Sequence, residues 1–81
     1  MTVRAKFKVQ SITHRPHWQG NNILIGEVDL APVTSGSEEN AAFYAATPAG
    51  AIKLATINEE ALKQFVIGGE YYVDFTPTQA A

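Results

Sequence analysis

His14 and His17 are the only histidines of this 81-residue chain, and they stand three apart in "THRPHWQGNN", residues 13–22, with Arg15 and the single tryptophan, Trp18. A His-x-x-His pair can ligate zinc or nickel, with Glu27 as a further donor. Structural zinc asks for four ligands and catalytic zinc usually for three, so the pair alone does not define a metal site. The chain has no cysteine, which removes thiolate ligands and a disulfide framework and leaves the redox compartment open. Nucleophilic catalysis needs a Ser or Thr activated by a base that a third group orients. Here the only imidazoles fall on a hairpin tip, in a chain too short to shelter a multistep active site. Gly68-Gly69 follows a predicted helix instead of preceding one, the wrong order for cradling a phosphate. Glu38 and Glu39 are adjacent carboxylates without a converging third oxygen donor and read as solvated. The residues therefore predict a protein that is not an enzyme, with no cofactor and no metal.

Recognition is the chemistry that remains. Trp18, Tyr71 and Tyr72 could stack on bases while Arg4, Lys6, Lys8 and Arg15 neutralise phosphates, as in single-stranded nucleic-acid binding. The net charge of −2 is too small to steer the whole molecule to nucleic acid, so this reading rests on the Arg4/Lys6/Lys8 row alone. Trp18 can equally anchor a protein interface, since tryptophan is frequent in interface cores. The two histidines would make either contact sensitive to acid.

These side chains need elements to hold them. Val3, Ala5, Phe7 and Val9 alternate with Arg4, Lys6, Lys8 and Gln10, the period of two of a half-buried strand. Residues 23–33 form the next strand, with Leu24, Val28 and Leu30 of one parity and Glu27 and Asp29 of the other. A hairpin turning around Gly20-Asn21 with an even loop pairs even with odd. That register places Phe7 and Val9 with Val28 and Leu30, and sets the basic row against Glu27 and Asp29 as a charge ladder. It also leaves Ile12, Ile23 and Ile25 on the polar face near Trp18 and His17. Such an apolar patch is covered either by the chain itself or by a partner.

Further along, "TSGSEENAA", residues 34–42, reads as a loop in which Ser37 caps a single helical turn starting at Glu38. "FYAATPAGAIKLATI", residues 43–57, reads as a second hairpin, Tyr44 and Ala46 against Ile52 and Leu54, turning at Thr47–Gly50. Asn58 then caps a helix whose first turn carries Glu59 and Glu60, with Ile57 stapled to Leu62 and Gly68-Gly69 at its end. "EYYVDFTP", residues 70–77, is the last strand, with Tyr71, Val73 and Phe75 on one face.

The fold class predicted is mainly β (α+β), a single β-barrel-like domain over residues 1–81. It is a five-stranded, largely antiparallel, partly open barrel or roll with one short helix before the last strand. The apolar share of 46% suits a globular chain. No apolar run approaches the ~20 residues that span a bilayer, and the N-terminus alternates where a signal core would be continuous. No membrane association is therefore expected.

"VRAKFKVQSIT" at residues 3–13, "SGSEEN" at 35–40, "TPAG" at 47–50 and "EYYVDFTP" at 70–77 together resemble a group of small proteins encoded by tailed bacteriophages. The resemblance implies a viral gene product located in the host cytoplasm or the virion, and it carries over no functional residues. The leading expectation is a virion-associated or assembly module. It would dock on a larger protein, a virion protein or its own copies, through Ile12, His17, Trp18, Ile23 and Ile25. The second is a nucleic-acid or nucleotide-binding barrel using Arg4, Lys6, Lys8, Arg15 and Tyr72.

Overall fold

The computed structural model describes residues 3–17, 23–45 and 48–79. Among them, four strands form one antiparallel sheet, curled into a half-barrel: β1 (Val3–Pro16), β2 (Leu24–Pro32), β3 (Ile52–Thr56) and β4 (Glu70–Phe75), in the order β3-β2-β1-β4. Two short helices accompany them, α1 (Glu38–Tyr44) between β2 and β3 and α2 (Glu59–Leu62) between β3 and β4.

The alternation in β1 and β2 does what its period dictates. Ala5, Phe7, Val9, Val28 and Leu30 are all buried and form the core on the inner face of the curl. Ile12, Ile52, Leu62, Phe65, Tyr71 and Val73 pack around them. Val9 faces Leu30, the even-to-odd register expected of the hairpin. The two strands do not keep it. A bulge between Val9 and Ser11 adds one residue to β1, and beyond it Ile12 faces Val28 and His14 faces Gly26. The inserted residue exchanges the faces of the β1 residues beyond it, up to Pro16. Ile12 thereby leaves the polar face for the core, which corrects its expected place beside Ile23 and Ile25.

The first arm of the second hairpin is replaced by a helix, and among the described residues there are four strands where five were expected. Ser37, in extended backbone, accepts the Asn40 N–H on its side chain (3.2 Å) and starts α1, which continues through Tyr44 instead of stopping after one turn. Tyr44 is therefore helical, and Ala46 lies outside the described residues. Ile52–Thr56 remains a strand but pairs with β2, Leu54 facing Val28 and Lys53 facing Asp29.

The later helix is shorter than its spacing implies. Asn58 caps it as predicted, accepting from Ala61 N (3.2 Å), but α2 ends at Leu62, well before the glycines. Gly68, at φ 85°, instead serves the turn closed by Gly69 N–H donating to Val66 O (2.9 Å), which returns the chain to β4. What fixes so short a helix is contact with the sheet. Leu62 lies against Gly26, the third residue of β2, where any Cβ would fall on the leucine side chain. Tyr71 holds the segment after α2 by donating to Gln64 O (2.8 Å) and accepting from Val66 N (3.1 Å).

Candidate functional site

The bulge divides the predicted patch between two faces. Ile12 lines the inner face, Ile25 stands across from Arg15 on the outer face with Glu27, and Ile23 is held at the strand end, where its carbonyl accepts from His17 N (2.9 Å). Trp18 lies outside the described residues. His14 and Arg15 belong to β1, not to a tip, because the strand runs on to Pro16.

In place of the patch, the inner face carries an apolar cleft of about 310 Å³ between α2 and the tip end of the sheet. Ile12, Leu24, Ile57, Leu62 and Phe65 form its walls; His14, Thr56, Glu59 and Lys63 supply its polar atoms. Its position follows from the short helix. Leu62, the last residue of α2, lies over Gly26, and on the tip side of that contact Leu24 and Ile57 stay uncovered. Leu24 is 51% exposed and Ile57 54%. Nothing in the sequence marks Leu24 and Ile57 as site residues, although Leu24 shares the parity of Val28; its exposure depends on how far α2 reaches, which no local pattern encodes.

The outer face is electrostatic, and its partners differ from those predicted. The basic row is answered by β4, because β1 extends past the end of β2 at Pro32. Arg4 makes a two-pronged contact with Asp74 (2.7 and 3.0 Å), and Lys6 lies 4.0 Å from Glu70. Glu27 and Asp29 are met instead by Arg15 (3.7 Å, to Glu27) and by Lys53 (3.8 Å to each). Arg4 and Lys6 also stand over the Tyr72 ring, at 4.6 and 5.4 Å from its centroid, while the Tyr72 hydroxyl reaches Glu39 at 3.4 Å. Hydrogen bonding from Arg4 holds the Asp74 carboxyl below its usual range, and the guanidinium is correspondingly pushed up. Glu39 is also lowered, chiefly by its own backbone N–H and then by the Ser37 hydroxyl.

Of the six Lys and Arg residues, Lys8 alone has no ion pair within 4 Å among the described residues. No group of three or more His, Asp or Glu among those residues could hold a metal ion, and no helix there is long and apolar enough to cross a membrane. The site is thus an apolar cleft beneath a charge-matched sheet. No protein-family model, curated protein or solved structure matches this chain.

Proposed function

We propose that this chain is a non-enzymatic binding and assembly module, encoded by a tailed bacteriophage, that docks on a larger protein through the inner-face cleft. One observation carries the reading: Leu24 and Ile57, each about half exposed, stand together over a concave apolar wall that the chain's own helix leaves open. The phage assignment is supported by the sequence resemblance, and the partner in keeping with it is a virion protein.

Binding of single-stranded nucleic acid is the competing reading, and the charges speak against it. Arg4, Lys6 and Arg15 already have acidic neighbours, so a phosphate backbone would have to displace them, and counterion release would be small. Light scattering of the protein mixed with purified virions tests the first reading. Association is expected for the native chain and not for the Leu24→Asp/Ile57→Asp variant, whose changes fall on exposed side chains. A labelled oligonucleotide titrated at low salt should give a flat response; a salt-dependent shift would reverse the order of the two readings.

A further inference from the structure

We infer that the partner enters as an extended strand, added to β1 along its open edge between Ile12 and Pro16; this mode of docking rests on the reading above.

β1 is 14 residues long, but its neighbour on the β4 side is not. β4 covers Val3 to Lys8, and the turn after α2 covers Val9, which donates to Gly69 O and accepts from Gly68 N (both 2.9 Å). From there to Pro16, no described residue pairs with that side of the strand. The bond from His17 N to Ile23 O fixes which groups are left over. Beyond the bulge, Ser11, Thr13 and Arg15 turn their backbone N–H and C=O to β2, so Ile12 and His14 turn theirs to the open side. An unpaired row of alternating donors and acceptors is a template for another strand, and it specifies the occupant more narrowly than an apolar surface would. Pro16, without an N–H, ends the row.

The side chains beside this edge set the occupant's pattern. Inward lie Ile12 and His14 and the cleft beyond them; outward lie Ser11, Thr13 and Arg15. Where the β4 ladder stops, Val66 and Ile67 are 59% and 67% exposed. A strand continuing the line of β4 would therefore cover apolar surface at its start and drop alternate side chains toward the cleft. The ligand is an extended polypeptide, apolar at every second position and polar between.

The test uses the full chain as bait for a displayed library of random octapeptides, with the Leu24→Asp/Ile57→Asp variant as the counter-selection. Selected peptides should carry apolar residues at alternate positions. On binding, exchange of the Ile12 and His14 amides should slow about tenfold or more. N-methylation of peptide amides in one alternate frame should abolish binding, and in the other frame leave it intact. Peptides that shift Leu24 and Ile57 resonances without protecting Ile12 and His14 would overturn strand addition while leaving cleft docking in place. Failure to enrich any peptide over the variant would overturn both. Protection of the same two amides in a concentration-dependent dimer, without peptide, would overturn a separate partner in favour of a second copy.

Discussion

Asn40 in α1 hydrogen-bonds both backbone groups of Lys6 in β1: its Oδ1 accepts the Lys6 N–H at 2.6 Å and its Nδ2 donates to the Lys6 carbonyl at 2.8 Å. The same Nδ2 donates to Val33 O at 2.9 Å. Just past the end of β2, one carboxamide thus does the work of a strand residue, and Asn40 is the one buried polar residue of the described chain.

Removal of that carboxamide should be costly. Asn40→Ala orphans buried backbone groups, at about 1–3 kcal/mol for an unsatisfied buried partner. Asn40→Asp keeps the acceptor but sets a carboxylate against two carbonyl oxygens. It should be least stable at neutral pH and recover as acid protonates it. Urea midpoints at pH 4 and 7 separate the two effects.

Close approach at Gly26 gives a second expectation. Gly26→Ala presses a methyl group into Leu62 and should cost roughly 1–3 kcal/mol as overpacking. Leu62→Ala should relieve that term, so a double-mutant cycle over the two positions should show coupling of about 0.5 kcal/mol or more.

The Arg4–Asp74 and Glu39 contacts predict an acid-sensitive contribution. A carboxyl whose folded pKa is depressed stabilises the fold above its unfolded value, about 3.9 for Asp and about 4.3 for Glu. That contribution fades as pH falls through the lower folded value. Asp74→Asn should therefore flatten the loss of urea resistance below about pH 4. Side-chain exposures of 51% for Arg4 and 40% for Asp74 keep the effect small, and molar salt should shrink it.

Tyr71→Phe removes the hydroxyl that joins Gln64 O to Val66 N while keeping the ring against Phe65, 5.3 Å between centroids. The global cost should be about 1 kcal/mol. Exchange of the Val66 amide should quicken more than that of core amides, because the hydroxyl ties down the segment that returns the chain to β4.

The core of the fold is legible in the alternation of residues 3–9 and 24–30, because a period of two needs no distant information to be read. The cap at Asn58 is legible for the same reason. The helix at 38–44 is not, because what favours it over a hairpin is Asn40 meeting the backbone of β1, 34 residues away. The bulge escapes as well: no glycine or proline marks residues 9–11, and its effect is known only once Ile12 is seen opposite Val28. The cleft inherits the second omission, since it needs Ile12 turned inward, and adds one of its own, since it needs α2 to stop at Leu62.

One supernumerary position thus sets the reading frame for half a strand. Deleting Gln10 would remove the bulge yet keep Ile12 and His14 inward, since Ser11 would then take the single outward place between Val9 and Ile12; straightening the strand with Gln10 retained would instead swing Ile12 outward and put Thr13 in the cleft. The same offset uncouples the strand's two halves: mutation on the tip side can reshape the cleft while the packing of Phe7 and Val9 goes on undisturbed.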